Sequence, residues 1–391
     1  MMRILVRVVV PGAVALALFV TPAVAGARDD TDTKTKSNVI VLNGQGNDLD
    51  AYTANAPFKH QTVYTNRNDD PDGFDINAQI CFFPDGHRFI AGEDTGQPDP
   101  IQGWGIFDLR GTSVGKLEAK QIGKLQPTYQ GATDNAENYG CGVLSDGRVV
   151  TTDIGNQSAG EGDGQLIVWF PPLTKGFKTL KNGTEGTVSY CKLDIAIATS
   201  GGIAVDDDDN LYVASARPPT AGVWKYSGPF PTSADASGGC GSEDGTGAPL
   251  ADSVQKAQFI AAGDNSLVSP NAIVASGNDT WYVSSVFTGV INEYALDGSF
   301  VRTILQPPAG EGPGPEPIST GSPLGLGVAP DGTLFFADIG LVISEDGVGP
   351  GDGTGSVRRI AFVDGEPQAP VTMADGLAFP DGIGIYVPKK R

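Results

Sequence analysis

The chain has 391 residues, 46 of them acidic and 26 basic, for a formal net charge of −20. So acidic a surface repels phosphate backbones and anionic lipid, which argues against nucleic acid and membrane surfaces as partners. It is compatible with solubility, with a saline habitat, or with binding of divalent cations.

In chain order, Met1–Ala25 comes first, with Arg3 and Arg7, an apolar stretch from Val8 to Val20, and then Ala23-Val24-Ala25. A positive start, an apolar middle and an A-x-A site predict a secretory signal peptide cut after Ala25. The apolar stretch is short for a bilayer span and contains Pro11 and Gly12. No later segment is apolar enough to span, so the mature protein is expected to be secreted or periplasmic, without a membrane span. Loss of Arg3 and Arg7 takes its formal charge to about −22. Residues 26–36 read as a polar linker without apolar period. Residues 37–388 are expected to form one domain.

Ser37–Thr53 and Phe58–Thr65 read as two extended segments with no inner partner nearby. Between them and the first repeat, Asn68-Asp69-Asp70-Pro71-Asp72-Gly73 resembles the opening of a calcium loop. Position 79, where such a loop needs a bidentate Glu, is Gln, so an EF-hand is excluded.

From there one short pattern recurs: an apolar run, a Gly/Asp turn and a second apolar run. The copies are Asn77–Asp94, Asn138–Asp153, Ser200–Ala216, Pro270–Ser285, Pro323–Asp338 and Asp375–Val387. Each reads as a hairpin with the turn chemistry that tight hairpins require. Irregular spacings of roughly 50–70 residues point to a propeller rather than a continuous sandwich. Further extended segments follow most copies: Gly103–Leu109, Gln165–Phe170, Ala221–Ser227, Gly289–Leu305 and Gly355–Gly365. Two hairpins per repeat make a four-stranded blade, with the apolar hairpin nearest the axis. The expected fold is therefore all-β, a six-bladed propeller. Its last blade joins the inner hairpin Asp375–Val387 to outer strands from Ser37–Thr53 and Phe58–Thr65, which removes the free sheet edge. The long connections Gly155–Gly164, Gly228–Ala251 and Gln306–Gly321 would cover one end of the channel.

Four cysteines in an exported chain suggest two disulfides, with three possible pairings. Cys81 and Cys141 hold nearly equivalent places in adjacent repeats, which neighbouring blades would bring together. Cys191 and Cys240 would then pair with each other. No C-x-x-C or His-rich spacing supports zinc. His60 and His87 are the only histidines; one falls in an outer strand and one in a turn, and there is no G-x-S-x-G elbow. A Ser/His/Asp hydrolase is not indicated.

The repeats PNAIVASGNDTWYVSS, PLGLGVAPDGTLFFAD and GGIAVDDDDNLYVASA resemble those of NHL-repeat and gluconolactonase-like (senescence marker protein/regucalcin) propellers. In the gluconolactonase-like group a divalent metal sits in the central channel, held by one Glu, two Asn and one Asp from different blades. It polarises a lactone carbonyl and helps to activate water. The resemblance implies that Asn271, in Ser269-Pro270-Asn271-Ala272-Ile273, is one metal ligand and Asn138 the second amide. Asp375, in Ala374-Asp375-Gly376-Leu377, would be both the carboxylate ligand and the catalytic base. The family's Glu place holds Ile76-Asn77-Ala78 here, so Glu93, after the second strand of its hairpin, is the remaining candidate.

Asn77, Asn138, Asn271 and Asp375 all fall at or just before a first inner strand, where converging oxygens would suit calcium. The alternative is that each caps its own backbone. Glu93, Asp94, Asp153 and Asp338 recur after second strands, as a further acidic ring or as exposed turn carboxylates. Asp206–Asp209 reads as a solvated hairpin turn.

Two functions follow. One is an exported, calcium-dependent hydrolase of lactones or small esters. The other is a non-catalytic propeller offering its loop face to an extracellular protein, glycan or cell-wall partner. A monomer is expected in either case.

Overall fold

The computed structural model describes residues 38–46, 48–65, 76, 78–92, 103–125, 138–153, 164–174, 188–198, 200–245, 247–306, 314–315, 321–344, 347–351 and 353–389. The segments expected to be a signal peptide and a linker, residues 1–25 and 26–36, lie outside them. Asn38–Arg391 forms one compact unit.

Alternating apolar side chains and Gly/Asp turns produce six blades of antiparallel core strands, five of them with the inner hairpin drawn from one repeat. The first blade runs Ile80–Phe82, Arg88–Gly92, Trp104–Arg110 and Glu118–Leu125, from inside to outside. The second begins at Asn138–Val143 and ends at Tyr190–Asp194, where the short strands Pro249–Leu250 and Ser242–Glu243 extend it. The third runs from Ser200–Val205 to Gln255–Ala261, the fourth from Pro270–Ala275 to Phe300–Leu305, and the fifth from Pro323–Val328 to Val371–Leu377. The innermost strands of successive blades touch one another around a closed ring. The architecture is the expected six-bladed propeller.

The sixth blade is assembled differently from the expectation. Only Pro380–Tyr386 comes from the C-terminal side, as the innermost strand. Ile40–Gln45, Asp48–Thr53 and His60–Thr65 supply the other three. Ser37–Thr53 is thus a hairpin rather than one strand, and its turn lies at Gly46, whose φ of 51° suits glycine. Asp375 belongs to the outermost strand of the fifth blade, opposite Ser356. The three-plus-one closure makes the ring depend on both chain ends, because Ile40–Asn43 pairs directly with Ile383–Tyr386.

Blades pack through apolar layers. Trp104, Ile106 and Ile90 of the first blade meet Ile167, Trp169 and Val149 of the second, all fully or nearly fully buried. Near the axis the inner strands approach more closely than side chains allow. A Cβ on Gly382 would collide with the Ala78 carbonyl, and one on Gly325 with the Asp381 carbonyl. This explains the recurring glycine of the repeat.

Both disulfides pair as expected, Cys81 with Cys141 and Cys191 with Cys240. They join the first blade to the second, and the second to the insertion of the third. Polar contacts reinforce the latter seam. Asp194 of the second blade accepts from the Tyr226 hydroxyl at 2.8 Å and from Lys256 Nζ at 2.6 Å, both of the third. Burial pushes the Asp194 carboxyl up, but hydrogen bonds from Lys256 and Tyr226 outweigh it and hold the group below its usual range. A carboxyl with a depressed folded pKa stabilises the fold above its unfolded pKa, about 3.9, and that contribution disappears as pH falls through the lower folded value. Asp194→Asn should therefore flatten the loss of stability on acidification below about pH 4. Urea midpoints measured across that range check this; a parallel curve for the variant would refute it.

Candidate functional site

The end of the channel where the inner strands begin collects the candidate residues. Aligning the blades on Ile80, Cys141, Ile203, Ile273, Leu326 and Ile383 gives one equivalent position two residues earlier. It holds Ala78, Tyr139, Gly201, Asn271, Leu324 and Asp381. Asn271 is 7% exposed, Asp381 is 0% exposed, and Asn138, one residue before this position, is 2% exposed. They stand on the fourth, sixth and second blades, each at the start of an innermost strand. The Asn138 side-chain nitrogen is buried without a hydrogen-bonding partner. Since amide oxygen and nitrogen exchange places by a simple flip, that position equally presents an oxygen.

Asp381 is the residue that the sequence reading missed. It lies inside the expected hairpin Asp375–Val387, whereas Pro380-Asp381-Gly382-Ile383 is the counterpart of Pro270-Asn271-Ala272-Ile273 at the start of an innermost strand. The signal was present in the Pro-x-Gly-Ile wording itself. Asp375, expected here, is exposed on an outermost strand, and the structure does not bring it together with Asn138 and Asn271. Its exposed, peripheral carboxyl is not placed to act at the channel. Glu93, Asn77, Asp94 and the segment Asn68–Gly73 lie outside the described residues, as does the side chain of Asp153.

Two hydrogen-bonded bridges cross the mouth. The Tyr139 hydroxyl of the second blade donates to Asp381 Oδ1 of the sixth at 2.8 Å, reaching past the first blade. Gln79 of the first blade joins three blades: its Oε1 accepts from Cys141 N at 3.0 Å and Ile203 N at 2.9 Å, while Nε2 donates to Ile203 O at 2.9 Å. In the other blades Gly140, Gly202, Ala272, Gly325 and Gly382 stand where Gln79 does, which marks Gln79 as the exception within the repeat. Tyr139 also packs with Val286, Leu324, Ile339 and Leu341 in a buried apolar cluster at this end. Around it, Ile195, Val268 and Phe287 are between 40% and 50% exposed.

The other acidic positions are internally satisfied. Asp338 is 1% exposed, not an exposed turn carboxylate; it accepts from Ser322 N at 3.2 Å and Gly340 N at 3.1 Å, with Arg358 at 3.7 Å. Burial keeps its pKa above the usual value despite these contacts. In the Asp206–Asp209 turn, Asp206 is held by Asn210 and Tyr212, and Asp209 accepts from both the amide and the hydroxyl of Ser145 in the neighbouring blade. That turn ties blades together. His60 lies against Asp50 at 2.9 Å on the outermost strand of the last blade, away from the channel.

Asn138, Asn271 and Asp381 are the oxygen-bearing side chains at this end that could hold a hard cation. Among the described residues no three His, Cys, Asp or Glu side chains gather as a metal cluster. Two amides and one carboxylate are nonetheless hard oxygen donors, and their single negative charge would leave a divalent ion strongly electrophilic.

No known family model matches the chain, and no curated protein matches it. Among solved structures it is similar to a Bacteroides caccae protein of unknown function, at 11% identity and a TM-score of 0.49, over 90% of this chain and 99% of that one. A virginiamycin B lyase from Staphylococcus aureus gives 11% and 0.44, over 88% and 85%. A gluconolactonase from Xanthomonas campestris gives 13% and 0.41, over 74% and 75%. The neighbours thus include gluconolactonase-like and lyase propellers of six blades. Similarity at this level carries no weight on the reaction; the fold rests on the sheet order itself.

Proposed function

We propose that this is an exported hydrolase of lactones or small esters, working at the mouth of the channel with a divalent ion held by Asn138, Asn271 and Asp381. The observation that carries this reading is the placement of three buried oxygen-bearing side chains at the starts of inner strands on alternate blades. The leader pattern of Met1–Ala25 and the two disulfides support export.

When bound, the ion supplies a Lewis acid for the substrate carbonyl. The Asp381 carboxylate is positioned by the Tyr139 hydroxyl and takes a proton from water as the water oxygen bonds to the acyl carbon. The ring or ester C–O bond then breaks, and the leaving oxygen takes the proton that Asp381 received, which restores the carboxylate. Gln79 holds the first three blades in register beneath this site.

The test is calorimetric titration of calcium into chelator-treated protein, followed by assay of lactones and aryl esters with and without the ion. One saturable site and ion-dependent turnover support the reading; absence of both refutes it. The second reading, a binding propeller, is favoured by the Tyr139–Asp381 and Gln79 bridges that already cross the mouth, and by the exposed Ile195, Val268 and Phe287 around it. An intact protein that neither binds calcium nor turns over any ester supports this second function.

A further inference from the structure

At the opposite end of the propeller, a cleft of about 380 Å³ opens on the seam where the last blade meets the first. Such a volume is within the range of small-molecule sites. Its walls come from three places: the inner-hairpin turn Asp85–His87, the outer-hairpin turn Leu109–Thr112, and the end of the closing strand with Tyr386 and Lys389.

The charges in this cleft run against those of the whole chain. Three basic side chains, His87, Arg110 and Lys389, line it with one carboxylate, Asp85. That carboxylate is committed to its own turn. It accepts from His87 N at 3.0 Å, Arg88 N at 2.9 Å and the Arg88 guanidinium. Burial raises its pKa, but these bonds outweigh burial and keep it low, so it stays an acceptor already in use.

The basic groups are less fully engaged. Lys389 Nζ donates to the Asp85 main-chain carbonyl at 3.1 Å, and no carboxylate pairs with it among the described residues. Arg110 is 58% exposed and binds Asp108 at 2.9 Å through one side of its fork, leaving further donors. His87 is 45% exposed, with Asp85 at 3.3 Å and Asp108 at 3.9 Å. Beside them Tyr386 fixes the wall by donating from its hydroxyl to Gly111 O at 2.9 Å.

We propose that this seam cleft binds a small ligand through an oxyanion group, a carboxylate or a phosphate, held between Lys389, Arg110 and His87. Lysine supplies a point charge and arginine a planar fork, and both groups suit either anion. The bound ligand bridges the first blade to the closing strand, so occupancy also fastens the C-terminal strand of the last blade to its neighbour. The site is independent of the channel mouth.

The test is titration of inorganic phosphate, glucuronate and uncharged glucose into the full-length protein at low salt, followed by NMR or calorimetry. Saturable binding of at least one anion is expected, with none for glucose and weakening as salt rises. Phosphate alone would identify a phosphate ligand, and glucuronate alone a carboxylate. Lys389→Gln and Arg110→Gln, both exposed, should each weaken binding roughly tenfold, the loss of one charge-assisted hydrogen bond. The Asn271→Ala/Asp381→Ala variant should leave it unchanged. No saturable binding of either anion, or equal binding in both charge variants, overturns the proposal.

Discussion

Asp381→Ala should abolish calcium-dependent ester or lactone turnover and calcium binding, Asn271→Ala should weaken both strongly, and Asp375→Ala should leave both unchanged. The expected loss for Asp381 is at least about a hundredfold in kcat/KM, since the variant removes the one carboxylate of the set and the proposed base together. Asn271 contributes one neutral oxygen, so its loss should act chiefly through affinity for the ion. Asp375 is the decisive control. It is exposed on the outermost strand of the fifth blade, whereas Asp381 is fully buried at the start of the innermost strand of the sixth. Calorimetry and steady-state rates read both effects. Activity lost in Asp375→Ala but kept in Asp381→Ala would reverse the assignment. Because Asp381 also receives the Tyr139 hydroxyl, Tyr139→Phe separates positioning from ligation: it should lower kcat while retaining calcium binding.

The largest expected effect on stability is at the edge of the second blade. Lys192 and Asp244 form an ion pair with side chains only 1% and 5% exposed. Asp244 sits in the insertion of the third blade, which reaches back to pair Leu250 with Lys192 in parallel and is anchored by the Cys191–Cys240 disulfide. Arg148 donates to the Phe230 and Pro231 carbonyls and holds the same insertion from the other side. Asp244→Ala would leave an ammonium buried without its counter-ion, at a cost of about 3–5 kcal/mol. Lys192→Met with Asp244→Leu removes both charges and should recover most of that loss. Urea unfolding of the two variants measures the difference. A single variant as stable as the wild type would mean that water reaches the site and the pair is not buried in solution.

Much of the propeller was legible because its signals are local. Each inner hairpin needs an apolar alternation and a turn residue that tolerates its φ, and both lie within a dozen or so residues, as in Leu334–Asp338 after Asp331-Gly332. Cys81 and Cys141 could be paired because equivalent places in adjacent repeats become adjacent in space. Asn138 and Asn271 could be placed at the start of an inner strand for the same reason.

Asp381 and Gln79 were not, and the reason is the ambiguity of short patterns. Asp375-Gly376-Leu377 and Pro380-Asp381-Gly382-Ile383 both offer a Gly beside an acidic residue and before an apolar one. Alternation with period two does not say which strand of a blade a segment becomes. That choice is made when Ile40–Asn43 and Ile383–Tyr386 pair across the whole length of the chain, and when Ser356 takes Asp375 into the preceding sheet. Gln79 likewise gains its role only when Cys141 and Ile203 arrive from two other blades to meet its amide. The sequence alone therefore determined the blade count and the first five inner hairpins, which follow from local turn chemistry, and repeat equivalence favoured the disulfide pairing that the structure shows. Tertiary structure alone decided how the ring closes and which carboxylate lies on an innermost strand, because both depend on pairing between segments far apart in sequence, where only the lowest-energy register distinguishes one Asp-Gly from another.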